Sequence, residues 1–429
     1  MRRILAAAGW ICLGLAPLSA ESNTPAVPLG KLVEQLGDAN FRTREAATKA
    51  IEGRGFGALP DLRVAAAATT SAEARRRLQA LVGQMERAAA LEPKWVTLKC
   101  KDQPVAAVIA DLAKQTGYQL QCQNAGPVAA LTYDLERVTF WQAIGRVCDD
   151  ARLYMYHNEN NGMQFYPQDQ YWPHVALNGP FRLTANNLHF YKSVTLGGLP
   201  RIPVPNQSRS ESLQFTFNVM SEPKLPIMSV SQGRVLEAVD ELGNSMALPA
   251  NPHESYYHNG GYRSFNHSLN VPLSWPNKEA KLLKRIRVSV PLTLLASQKP
   301  EIAIDDILKV KDKKFTGSTA EVHVIEVKEI NKTQYQIKLG LRNLASNAAQ
   351  DYNWTNYVHQ RLELLDAKGT KFIPQGYNFE TNNAGQFQAT FNFGNNGTVV
   401  LGPPAKLVYL HWGLIQHQIE VEFKDLPLP

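Results

Sequence analysis

Between residues 94 and 166 the apolar positions switch repeatedly between a period of two and a helical period of about 3.6. The switches spell strand, helix, strand, strand, helix, strand, strand. Val96, Leu98 and Cys100 alternate with Thr97, Lys99 and Lys101, the pattern of a half-buried strand. Val105, Val108, Ile109 and Leu112 then share one helical face, with Asp102 as its expected cap and Pro104 in its first turn. Thr116-Gly117 ends this helix, since Gly takes the left-handed C′ conformation without penalty. Tyr118, Leu120 and Cys122 alternate as a second strand, and residues 131–138 read as a third. Thr139 and Gln142 form a capping box for a helix carrying Phe140, Ala143, Ile144, Val147, Cys148 and Ala151 on one face. Residues 153–157 and 163–166 follow as a hairpin around Asn161-Gly162.

The flanking patterns differ from this centre and from each other. Before it, Leu32, Val33 and Leu36 mark a short helix stopped by Gly37. Asp38 or Asn40 starts a second, with Phe41, Ala46, Ala47, Ala50 and Ile51 directed inward. Residues 58–68 and 71–87 read as two more, the last with Ala74, Leu78, Leu81, Val82 and Met85 in a stripe. After Pro167 the period is two throughout. Leu213, Phe215, Phe217 and Val219 alternate with Gln214, Thr216 and Asn218. Ile286, Val288, Val290, Leu292 and Leu294 do likewise, with Pro291 predicting an edge strand or a bulge. Further sets include Tyr335 to Leu341, Phe387 to Phe393, and Ile419, Val421 and Phe423. The predicted class is a multidomain α + β protein: helical hairpins, a βαββαββ module, then two all-β sandwiches. The expected boundaries are 29–90, 94–167, 172–299 and 300–429, after a signal peptide at 1–20 and a linker at 21–28.

Three resemblances attach to particular residues. Val96-Thr97-Leu98-Lys99-Cys100-Lys101-Asp102-Gln103-Pro104-Val105 and Leu112-Ala113-Lys114-Gln115-Thr116-Gly117-Tyr118 resemble the secretin and TonB short N-terminal domain. That family's members are envelope modules that contact other proteins. Neither a secretin pore nor an outer-membrane barrel pattern follows, so a role in secretion or transport is not implied. Gly37-Asp38-Ala39-Asn40-Phe41-Arg42-Thr43-Arg44-Glu45-Ala46-Ala47 resembles a HEAT-type repeat, which implies a face presented to another protein. The two β regions resemble immunoglobulin-like domains in strand number and spacing, without a Cys–Trp–Cys core.

Composition adds an address. Arg2-Arg3 followed by the apolar run 4–18 reads as a secretory signal peptide with cleavage after Ala20. An uncleaved anchor is the alternative. The expected location is periplasmic or extracellular, and no later segment has the length and apolarity of a membrane span. The net charge of +7 over 429 residues comes from Lys and Arg interleaved with Asp and Glu, which argues against a nucleic-acid footprint. Cys100, Cys122 and Cys148 remain beyond Cys12. They read either as small core hydrophobes or, for Cys100 and Cys122, as a bridge between strands.

No G-x-S-x-G, S-x-x-K, H-E-x-x-H, P-loop or C-x-x-C pattern is read in the chain, and neither a cofactor nor a metal is expected. His253-Glu254 and His258 have the wrong spacing for two imidazoles on one helix face. Arg75-Arg76-Arg77 reads as a solvated helix face or an acidic-partner contact. Residues 249–270 hold Tyr256, Tyr257, Tyr262 and Phe265 among His, Asn, Ser and Gly, the composition of a recognition loop or of a disordered insertion. Trp354, with Tyr352 and Tyr357, belongs to a second aromatic-polar stretch whose rings either bind or cover a sandwich end. The reading is a non-enzymatic envelope protein that binds other proteins. One alternative is polysaccharide binding through Tyr256, Tyr257, Tyr262 and Trp354. Another is a hydrolase assembled from His253 or His258 with Asp351.

Overall fold

The computed structural model describes residues 27–123, 130–158, 162–168, 172–194, 209–249, 259–344, 352–383, 386–395 and 401–429. The signal segment, Tyr256, Tyr257, His253, His258 and Asp351 lie outside them. The chain divides into two compact bodies, at Glu86/Arg87.

The first body is helical. It contains α1 (Leu29–Leu36), α2 (Phe41–Glu52), a 3₁₀ turn (Phe56–Ala58), α3 (Leu59–Ala68) and most of α4 (Ala72–Leu91). Asn40 caps α2, its side chain accepting from the Arg42 N–H at 2.8 Å. Leu32, Leu36, Ile51, Leu62 and Leu78 form the interior. Phe41 departs from expectation: it is 61% exposed, with Arg44 over its ring, and Ala46 and Ala50 are also exposed. Only Ala47 and Ile51 of α2 are buried, a narrower stripe than the apolar residues suggest. The basic run on α4 is engaged within its own neighbourhood. Arg76 and Arg77 both reach Glu73, and Arg75 donates to the Thr69 carbonyl at 2.6 Å.

The second body begins with the small α/β module: β1 (Trp95–Gln103), α5 (Val105–Thr116), β2 (Leu120–Cys122), β3 (Leu131–Thr139), α6 (Phe140–Ala151), β4 (Leu153–Asn158) and β5 (Gly162–Pro167). The predicted order holds. The strands form two sheets: β1 pairs with β3, and β2 lies parallel to β5, which pairs with β4. Gly117 ends α5 at φ 74°. The capping box of α6 is complete, with the Gln142 N–H on Thr139 Oγ1 at 3.3 Å and the Thr139 N–H on Gln142 Oε1 at 2.9 Å. Asp102 is not a cap. β1 runs on to Gln103, Pro104 holds the N-cap position, and Asp102 sits at φ 49° with its N–H on Thr132 Oγ1. The cysteines carry two readings, small core residues or a Cys100–Cys122 bridge. Cys100 and Cys122 are free thiols on strands of different sheets, and Cys100 Sγ faces the Leu131 carbonyl.

The remainder is antiparallel β. In chain order it comprises β6 (Val175–Asn178), β7 (Phe181–Val194), β8 (Arg209–Ser221), β9 (Ile227–Val230), β10 (Arg234–Asp240), β11 (Asn259–Ser264), β12 (Asn266–Leu273) and β13 (Leu282–Asp305). Then come β14 (Lys313–Thr316), β15 (Ala320–Asn331), β16 (Gln334–Asn343), a 3₁₀ helix (Tyr352–Arg361), β17 (Leu362–Asp366), β18 (Ile373–Asn383), β19 (Gln386–Gly394) and β20 (Pro404–Pro427). One sheet runs β12-β8-β7-β6, a second β14-β15-β16-β19-β18, and a third β11-β9-β13-β20-β17 with β10 also on β13.

The boundary expected at 299/300 falls inside a strand that serves both β regions. β13 and β20 pair without a break in the ribbon from Leu282 opposite Pro427 to Asp305 opposite Lys406. One end of this ribbon, with Val288, Val290, Ile419 and Val421, completes a core against Phe215 and Phe217. The other end, with Ile302, Ile304, Leu407 and Tyr409, completes a core against Val322 and Ile337. Register shifts at Leu295/Ser297 and Pro300/Ile302 mark the passage between them, as bulges bend a strand. Pro291 therefore lies on a central strand. Its carbonyl accepts from the Ser231 N–H, on the side where β9 has ended and β10 has not begun. The missing N–H faces that gap and costs no ladder bond.

Candidate functional site

Of the aromatic residues singled out in the sequence, Phe265, Trp354 and Tyr357 have described side chains, and Phe265 and Trp354 are packed in different parts of the fold. Phe265 is buried and its ring lies parallel to that of His157, centroids 3.6 Å apart. Trp354 is buried in the core beneath the 3₁₀ helix, so the aromatic-polar stretch there covers a sheet end. Tyr357 is likewise buried, and its hydroxyl donates to the Met228 carbonyl at 2.9 Å. Tyr262 falls on β11, with its side chain outside the described residues. Among the described residues, no three His, Cys, Asp or Glu side chains gather as metal ligands. No helix there is long and apolar enough to cross a membrane. One expectation is corrected by the chain itself: an S-x-x-K pattern is present, since Ser221-Glu222-Pro223-Lys224 places a Lys three residues after a Ser. Ser221 is fully buried, with no partner for its hydroxyl among the described residues, while Lys224 donates to the Glu92 carbonyl.

A cleft of about 790 Å³ opens where the small module meets the first β layer. Its floor follows from strand alternation. Phe181, Leu183 and Ala185 of β7 point into the core, so Arg182 and Thr184 point outward. In register, Arg182 stands opposite Met220 of β8, which stands opposite Asn266 of β12; Thr184 stands opposite Asn218. A register shift between Ala185 and Asn187 brings the pair Asn186-Asn187 to the same cleft. Met220 leaves the row and enters the core of the small module. The walls are Cys148, Asp149 and Arg152 at the end of α6, Tyr154 and Met155 of β4, and Trp172.

Burial lowers the pKa of Arg182, opposed by nearby Cys148 and Asp149. Its guanidinium donates to Thr184 Oγ1 at 2.7 Å, and no carboxylate among the described residues approaches Arg182 or Arg152 within ion-pair distance. Burial raises the Asp149 carboxyl, opposed by Arg182. Asn218 Oδ1 is buried and accepts no hydrogen bond among the described residues. Arg152 reaches the rim because it ends α6 at φ 50°.

Two further features border the cleft. The outer face of β4 and β5 carries exposed Tyr156 and Tyr154, the latter stacked on Tyr166 at 5.3 Å. Behind it the module is anchored. Trp141 Nε1 donates to the Pro180 carbonyl at 2.9 Å, and buried Glu222 accepts from the Lys94 N–H and the Tyr118 hydroxyl. Of these residues, the sequence pattern marked Asn218 only as a polar strand position. The Asn186-Asn187 pair, interrupting alternation before Leu188, was the available sign of the bulge.

No family model matches the chain, and no curated protein matches it. Among solved structures, a conserved domain protein from Bacillus anthracis aligns at 9% identity over 58% of this chain and 89% of its own, with a TM-score of 0.16. That score carries no assignment of fold or function.

Proposed function

We propose that this is an exported, non-enzymatic interaction protein of the bacterial envelope, working in the periplasm or outside the cell. The reading combines the signal-like leader with the resemblances to HEAT-type repeats and to the secretin and TonB short N-terminal domain. The β layers, read as immunoglobulin-like, serve as the platform on which the module is mounted. The observation that carries it is the tyrosine face of β4 and β5. Tyr156 is 51% exposed on a sheet whose other face is buried and whose module is anchored through Trp141 and Glu222. Tyrosines held on a rigid support are strong contributors to protein interfaces. Crosslinking in the native envelope tests this. A discrete protein adduct, lost on Tyr156→Ala with the melting curve unchanged, is expected. No adduct from the unaltered protein, or the same adduct from the variant, defeats the reading.

A second reading, polysaccharide binding, draws support from the cleft and not from the aromatic stretches at 249–270 and 351–357. Its polar floor and its Trp172 and Tyr154 walls are the observation in its favour.

A further inference from the structure

We infer that the cleft between α6, β4 and the outer face of β7, β8 and β12 binds a saccharide bearing a carboxylate, a hexuronate. This deepens the polysaccharide reading and is independent of protein docking at Tyr156. Three observations carry it.

The first is an excess of positive charge. Arg182 stands on the floor and Arg152 at the rim, against one lining carboxylate among the described residues, Asp149, which lies near Arg182 but beyond ion-pair distance. A guanidinium taken partly out of water is strongly favoured by an anionic partner, and its planar fork matches a carboxylate. Arg182 spends one nitrogen on Thr184, which orients the fork and leaves its other donors for a ligand.

The second is a set of groups that both donate and accept. Asn186, Asn187, Asn218 and Asn266 line the cleft, and Asn218 Oδ1 is buried without a donor among the described residues. An amide presents a donor pair beside an acceptor, which suits hydroxyls that also do both. A donor from the ligand would relieve the Asn218 acceptor, whose unpaired burial is otherwise unfavourable. A simple anion with no proton to donate, such as sulfate, would answer the arginines and leave this oxygen unpaired.

The third is shape. Trp172 and Tyr154 add flat ring surface to a cleft that mixes the polar floor with Leu153, Met155 and Met220, suited to the C–H face of a pyranose. The volume of about 790 Å³ lies within the range of ligand clefts and admits more than a single small anion.

The test is calorimetric titration of the full chain with oligomers of galacturonate, glucuronate and mannuronate. The controls are the methyl-esterified galacturonate oligomer and inorganic phosphate. At least one acidic oligomer should bind, and its methyl ester should bind at least tenfold more weakly. Arg182→Gln and Asn218→Ala should each weaken binding at least tenfold. Arg152→Gln, at an exposed position where folding is not at stake, should weaken it about threefold and reduce its salt dependence. Failure of all three acidic oligomers overturns the proposal, as does equal binding of acid and ester. Binding unaffected by both arginine variants, or phosphate binding as tightly as the oligomer, overturns it as well. Since Tyr156→Ala should leave the titration unchanged, failure here and failure of the docking face are distinguishable.

Discussion

The Tyr118 hydroxyl donates to the buried carboxylate of Glu222 at 2.6 Å, joining the end of α5 to the strand end that follows β8. Glu222 also accepts from the Lys94 N–H, at 3.1 and 3.2 Å to its two oxygens. Burial raises the Glu222 carboxyl above its ordinary value of 4.5, against the pull of these hydrogen bonds. Folding thus favours the protonated form. The group's contribution is full below the ordinary value and is lost as pH rises through the raised one. Glu222→Gln should remove that decline while keeping an acceptor for Lys94 or Tyr118. Glu222→Ala leaves both donors unpaired and should cost about 3 kcal/mol. Urea denaturation across the acidic range measures both, and equal stability of the two variants would contradict the anchoring role.

His157 titrates in the opposite sense. Burial, with nearby Arg263, lowers its pKa from 6.5 to about 4. The folded state keeps the ring neutral against Phe265 while the unfolded chain takes up a proton. Its contribution is therefore present above 6.5 and is lost as pH falls toward 4. Nδ1 is buried without a partner among the described residues, so Phe at this position forfeits no hydrogen bond to them. His157→Phe should flatten the loss of thermal stability between those limits, which a pH series of melting curves would reveal.

Gly162 opens β5 at φ 72°, pressed against the backbone of Gln119. The adjoining Met163 N–H donates to the Gln119 carbonyl at 2.9 Å. A Cβ at 162 would collide with that carbonyl as well as strain the backbone. Gly162→Ala should destabilise by about 2–4 kcal/mol. Amide exchange should quicken first at Leu120 and Cys122, whose strand pairs there. A loss below 0.5 kcal/mol, roughly the level of ordinary surface changes, would mean the contact is not held.

The ribbon of β13 and β20 predicts that the two β layers melt together. Ile304→Ala, in the second core, should cost about 2–5 kcal/mol and lower one common transition. Exchange protection at Phe215 and Phe217, in the first core, should fall with it. Protection lost only around Val322 and Ile337 would show that the ribbon does not couple the layers.

Legibility followed the range of the physics. Helix starts and stops depend on neighbours three or four residues apart, so the Thr139–Gln142 box and the Gly117 stop were readable in the sequence. Alternation gave the strands because one face of each is apolar. Partners were not readable. Gln298-Lys299-Pro300 reads as a boundary locally, yet it is the interior of a 24-residue strand whose mate begins at Pro404. Asp102 looked like a cap because its chemistry suits one, and the competing pairing of β1 with β3 decided otherwise. The cleft was hidden for the same reason as the ribbon: Arg152, Arg182, Asn218 and Asn266 meet only after two sheets and a helix have assembled.

The wide interval between β13 and β20 also sets an order of events during synthesis. A ribosome releases β13 well before its mate, with all of β14 to β19 made in between. For that interval Val288, Val290, Ile302 and Ile304 lack the neighbour that shields them, on a strand with an open edge. Such a chain needs a holdase, or slow translation at low temperature, to avoid pairing with its own copies. Yield in a recombinant host should therefore depend more on growth temperature than on final stability.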